Sequence, residues 1–177
     1  VDVAAATLMG VEPGEVSHLR LRAMQEGVAP TLDGVELVGE DIISYQRAFK
    51  TGFRVFAERF PQVNIVRGES ACTGCTTELV TALRYLDEAG YSPEMGHLTI
   101  VIGEVESVAP SEKLALLGKC ARMHAGLGVH AAGCPPTEES VIRTLCAACG
   151  ADPARVLDTR DRSREHMWGE TRSKLQS

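Results

Sequence analysis

The sequence predicts an α/β fold, a three-layer parallel sheet preceded by a helical N-terminal segment. Three observations carry that reading. The run His97-Leu-Thr-Ile-Val-Ile-Gly103 is nearly continuous in apolar residues, the signature of a strand buried on both faces of a parallel sheet. Three further short apolar runs, Val63-Asn-Ile-Val66, Leu114-Ala-Leu-Leu117 and Val129-His-Ala-Ala132, stand apart from it, separated by helical patterns or loops. Strands alternating with such connections build parallel, layered sheets. Finally, glycines follow the central strand and the last two at 103, 118 and 133, marking where each would end.

In chain order, Val1 to Met9 reads as the end of a helix stopped by Gly10, with Pro13-Gly14 as a turn. A second helix is expected from Glu15 to Glu26, where Val16, Leu19 and Ala23 repeat at helical spacing before Gly27. Gly34-Val-Glu-Leu-Val-Gly39 alternates like a short strand. Tyr45, Phe49, Phe53, Phe56 and Phe60 fall at helical spacing, so a helix closed by Pro61 would carry them as a core-facing stripe, with Gly52 weakening its middle. Thr76 to Ala89 reads as a helix with Leu79, Leu83 and Leu86 on one face and Gly90 as its stop. The last clear helix runs from Glu138 to about Cys149, between a Thr137 N-cap and Gly150. This gives a mostly helical segment over 1–60, an α/β cysteine-ligand domain over 61–150 and a charged tail or helix over 151–177, which includes Trp168. A start at Val1, inside a helix pattern, leads us to expect that 1–60 closes a larger upstream domain.

Composition narrows the function. The 177 residues suffice for one domain with a real core. A net charge of −6 argues against nucleic acid or an anionic membrane as the main partner, because those need clustered Lys and Arg. No run reaches the roughly 18 apolar residues of a membrane span and there is no signal segment, so a cytoplasmic location is expected. Six cysteines in such a chain point to metal or redox chemistry before disulfides. No Ser-His-Asp order, phosphate loop or zinc-protease helix appears, which leaves hydrolase and nucleotide readings without support.

Ligands of parallel sheets sit beyond the carboxyl ends of the strands, and Cys72-Thr-Gly-Cys75, Cys120 and Cys134 each follow one of the expected strands. They should therefore meet. Four thiolates fit tetrahedral zinc or a [4Fe–4S] cluster. The cluster is favoured because Cys120 and Cys134 are single and far apart rather than a second paired knuckle. Glycines at 74, 118 and 133 leave room for an inorganic core, and the helix after Cys75 aims its positive end at the site. A structural zinc module and a thiol redox protein using Cys72 and Cys75 directly remain the alternatives.

The ordered motifs Cys72-Thr-Gly-Cys75-Thr-Thr-Glu78-Leu, Ile100-Val-Ile-Gly103-Glu104, Leu117-Gly-Lys-Cys120-Ala and Gly133-Cys134-Pro-Pro resemble the cluster-binding domain of the nickel–iron hydrogenase small subunit. They are also similar to the related subunit of NADH:quinone oxidoreductase. This resemblance, over residues 63–149, implies a flavodoxin-like fold, a [4Fe–4S] cluster on Cys72, Cys75, Cys120 and Cys134, and electron transfer to a redox partner or an upstream domain. Ala71 stands where hydrogenases usually have Glu, and the small subunit's additional clusters have no counterpart here. Residues 1–40 resemble the closing part of the family called domain of unknown function 362 (DUF362), which ferredoxin-like clusters often accompany.

Other chemistry-bearing residues receive plainer readings. Cys146 and Cys149 form a second pair on the last clear helix, on the order of 15–20 Å from the strand-end site at 1.5 Å per residue, and read as buried small residues. His124 and His130 read as satisfied polar histidines, with His124 the one in a position to touch the site. Glu104 and Glu106, past the central strand, read as solvated acids.

Overall fold

The computed structural model describes residues 1–33, 35–50, 52–68 and 70–175, with the backbone alone at Phe53 and over 167–175. The chain forms two compact units, 1–55 and 56–177.

The first unit holds α1 (Asp2–Leu8), a 3-10 turn (Pro13–Glu15), α2 (Ser17–Glu26) and a second 3-10 turn (Ile42–Tyr45). Two expectations fail in it. Residues 35–38 carry no strand; all are exposed, so alternation there has no buried face to serve. Helix does not run through the whole aromatic stripe either. The amides of Arg47 and Phe49 donate to the carbonyls of Leu8 and Met9, at 2.9 Å each. That satisfies orphan acceptors at the end of α1 and draws the chain away from a helix of its own. Tyr45 and Phe49 are exposed in consequence. Helix begins only at Gly52, as α3 (Gly52–Arg59), so this glycine opens the helix instead of weakening its middle. Phe56 and Phe60 are the members of the stripe that reach a core, their ring centroids 4.9 Å apart; the Phe53 side chain lies outside the described residues.

The second unit is an α/β fold around a four-stranded, all-parallel sheet in the order β1 (Asn64–Arg67), β2 (Thr99–Ile102), β3 (Leu114–Leu117), β4 (Val129–Ala131). Ile100 is in register with Ile65 on one side and Ala115 on the other. Alternation across the pleat sends Ile100, Ile102, Ala115, Leu117 and Ala131 into the main core, where they meet α4 (Thr73–Glu88) and α5 (Glu138–Cys149). The opposite face, with Val101, Leu114 and Leu116, is covered by Ala121, Val105 and Val108. The third layer is thus the 3-10 segment Lys119–Leu127 and the loop after β2. Helix α6 (Pro153–Leu175) occupies the expected charged tail. Its first turns dock through the fully buried Val156 and through Arg164, whose guanidinium donates to both Glu138 oxygens at 3.0 Å. The Trp168 side chain is among those not described.

Leu79, Leu83 and Leu86 of α4, at helical spacing, have no solvent exposure. Leu83→Ala is therefore expected to cost about 2–5 kcal/mol, read as a lower denaturant midpoint at unchanged slope. At the other end of α4, Asp87 accepts from the Ser92 hydroxyl and from Arg59, and these bonds hold its carboxyl below the ordinary 3.8. A depressed folded pKa contributes stability above the unfolded value that is lost as pH falls through the folded one. Ser92→Ala should cost about 1 kcal/mol at neutral pH. Urea titrations at descending pH should show that gap closing below pH 3.8.

Candidate functional site

The carboxyl ends of the strands are joined backbone to backbone. The Gly68 amide donates to the Ile102 carbonyl at 2.8 Å, and a Cβ on Gly68 would stand 1.9 Å from the Glu104 carbonyl oxygen. At Gly103, φ is +83° and a Cβ would lie 2.6 Å from the Ala71 nitrogen. The Glu104 amide donates to Ser70 Oγ at 2.6 Å. These contacts clamp the end of β1 to the end of β2 and set the entry to α4.

Helix α4 starts three residues earlier than its apolar pattern suggests, at Thr73, with Cys72 as its N-cap and Cys75 in its first turn. The Thr76 hydroxyl donates to the Cys72 carbonyl at 3.0 Å and helps extend the helix backward. The two cysteines therefore sit in different surroundings. Cys72 is exposed, and the amides of Cys75 and Gly74 at the helix start hold its thiol below the ordinary 9.0, although no side-chain hydrogen bond closes a cap. Cys75 is buried, with 8% of its surface exposed. Burial, reinforced by the negative charge of Cys72, Cys120 and Cys134 when ionised, pushes it up to about 11.

Cys120 and Cys134 arrive from the other side of the sheet. The Gly118 amide donates to the Ala131 carbonyl at 2.9 Å and the Lys119 amide to the Gly133 carbonyl at 2.7 Å, which lashes the exits of β3 and β4 together. Gly118 has φ +87°, and a Cβ there would stand 2.7 Å from Cys75 Sγ. Pro135, next to Cys134, packs close to Gly74, where an added Cβ would be 3.2 Å from the proline Cβ. All four expected thiols thus lie at one sheet edge with Cys75 as the shared neighbour, while Cys72, Cys120 and Cys134 open to solvent. Among the described residues no three His, Cys, Asp or Glu side chains are drawn close enough to hold a single metal ion.

The remaining candidates are placed elsewhere. His124 Nε2 lies 2.9 Å from the Val105 carbonyl, and His130 Nε2 lies 3.0 Å from that of Gly118; both brace the loops that carry the cysteines. Glu104 and Glu106 are exposed. Cys146 and Cys149 are buried at the far end of α5, where burial pushes the Cys146 thiol up to about 12. A shallow groove of about 420 Å³ beside β4, lined by Val129, Thr137, Glu139, Ser140, Arg143 and Thr144, contains none of the cysteines. The contributions of Gly68 and Ser70 to the clamp are not visible in the sequence pattern, since their partners lie more than 30 residues away.

No protein-family model, curated protein or solved structure matches the chain. Among the described residues no helix is long and apolar enough to cross a membrane.

Gly118→Ala places a methyl group against Cys75 Sγ at a positive φ, and is expected to cost about 1–3 kcal/mol in chemical denaturation. Gly126→Ala, whose added Cβ meets nothing within 4 Å, is the near-neutral comparison.

Proposed function

We propose that this chain is an iron–sulfur module in which Cys72, Cys75, Cys120 and Cys134 hold one [4Fe–4S] cluster, and that it transfers electrons to a partner protein or neighbouring domain within a larger oxidoreductase. The observation that supports this reading is the placement of the four cysteines at the carboxyl ends of the strands. Cys72 and Cys75 open α4, Cys120 follows β3 and Cys134 follows β4, and Gly118 leaves a gap against the Cys75 sulfur that any side chain would fill. Such a cluster supplies one-electron oxidation and reduction, at a potential set by burial, charge and hydrogen bonds. The chain's own groups would act on those settings. The amides of Gly74 and Cys75 favour the thiolate at Cys72, the core around Cys75 lowers the local dielectric on one side, and the exposed Cys120 and Cys134 keep the other side within reach of a partner.

A second reading rests on the contrast between Cys72, exposed and with a lowered pKa, and Cys75, buried beside it. A thiolate at 72 can attack a substrate disulfide, and Cys75 can then displace the mixed disulfide, leaving a Cys72–Cys75 disulfide and a reduced substrate dithiol.

Metal and sulfide analysis separates the readings. Protein purified without oxygen should contain about four iron and four acid-labile sulfide per chain and show a visible charge-transfer band. Cys→Ser at 72, 75, 120 or 134 should each abolish it, while Cys146→Ser should keep it. Colourless protein with stoichiometric zinc would replace the cluster with a structural site. Metal-free protein that reduces disulfides through Cys72 and Cys75, with Cys120 and Cys134 dispensable, would establish the thiol mechanism.

A further inference from the structure

The segment that presents Cys120 has a surface unlike the rest of its unit. In the unit spanning 56–177, the exposed large hydrophobic side chains among the described residues are Met123, 65% exposed, and Leu127, 58% exposed. Both lie in the 3-10 segment Lys119–Leu127. With three residues per turn, Met123 stacks over Cys120, while Lys119 and Arg122 share the neighbouring face. Both cations are exposed, and neither makes an ion pair or side-chain hydrogen bond among the described residues. The charge pattern is equally local. From Leu114 to Thr137 the chain carries no Asp or Glu, although it holds 24 acidic residues against 18 Lys and Arg. The backbone bond from Lys119 to Gly133 ties this face to the loop that bears Cys134.

Exposed apolar residues beside unpaired charge mark protein contact surfaces, and complementary charge steers association and fixes its orientation. We propose that Lys119, Arg122, Met123 and Leu127 form the docking face for an acidic electron-carrier protein, which exchanges one electron through the Cys120–Cys134 edge. The carrier is oxidised by one electron as this chain is reduced, or the reverse. This inference rests on the iron–sulfur reading above and names the kind of partner that reading requires. The small patch suits the limited interfaces of transient electron-transfer complexes. Glu104 and Glu106, on the loop that His124 bonds through Val105, mark the side that a partner's acids should avoid.

The test uses the whole chain purified without oxygen, an acidic plant-type [2Fe–2S] ferredoxin as probe and basic cytochrome c as the opposite-charge control. Affinity is read by calorimetry and electron exchange by stopped-flow absorbance, each from 50 to 500 mM salt. Ferredoxin should bind with an affinity that falls as salt rises, and the double variant Lys119→Glu, Arg122→Glu should weaken it about tenfold or more. Met123→Ser should weaken it several-fold at every salt concentration. Thermal melts and iron and sulfide content are recorded for each variant, and these exposed substitutions should leave both unchanged. Ferredoxin affinity that is indifferent to the charge reversal, or preference for cytochrome c, in protein with its full iron and sulfide, would overturn the docking face and leave the cluster reading intact. Wild-type protein lacking iron and sulfide would overturn the cluster reading and the docking proposal with it.

Discussion

The arrangement of the sheet's carboxyl edge depends on backbone approaching backbone. Gly68 against the Glu104 backbone and Gly103 against the Ala71 backbone leave no room for a Cβ, and Gly118 leaves none against the Cys75 sulfur. Each contact joins chain ends that side chains would otherwise hold several ångströms apart. The consequence is reach: a helix start and two strand exits come near enough for four thiols to share one neighbourhood. Among the described residues the strand order is sequential, without the reversal that opens a ligand crevice in doubly wound sheets. The thiols gather instead where the covering chain changes faces, α4 on the main-core side and the 3-10 segment on the other.

That geometry imposes opposite conditions on the two cysteines of one motif. N-capping gives Cys72 the unpaired amides of the helix start, which favour its anion. One turn on, Cys75 points into the core beside Leu79 and Ala82, where water cannot stabilise charge. Such a thiol is poorly placed to ionise, since burial raises its pKa and the charge of Cys72, Cys120 and Cys134, when ionised, raises it further.

Much of the second unit was legible because its signals are short-range. Runs buried on both faces announced β2 and β3, and α5 follows its Thr137 cap and Gly150 stop residue for residue. The start of α4 was not legible from apolar spacing, because Thr73 is exposed and Gly74 half-buried, so neither adds to the apolar stripe that marks the rest of the helix. In the first unit the same rules misled. Alternation over 35–38 and aromatic spacing over 45–60 describe faces that need something to pack against. Among the described residues of that unit Ala6, Pro13 and Ala23 are buried, which is too little core to enforce either pattern. The placement of Cys72, Cys120 and Cys134 after the strands was legible from the pattern; what they hold was not, since one thiol set satisfies several chemistries.

Exposure at the site edge has a cost that its chemistry must justify. A structural metal is best protected when its ligands are buried, because solvent access invites exchange and oxidation. Here three of the four thiols face solvent, and the segment bearing one of them also exposes Met123 and Leu127 beside two cations that have no partner among the described residues. A fold able to bury Ile100, Ile102, Leu116 and Leu117 completely has ample means to cover such side chains. Their exposure at the same edge as the thiols is the feature that the docking face proposed above would account for.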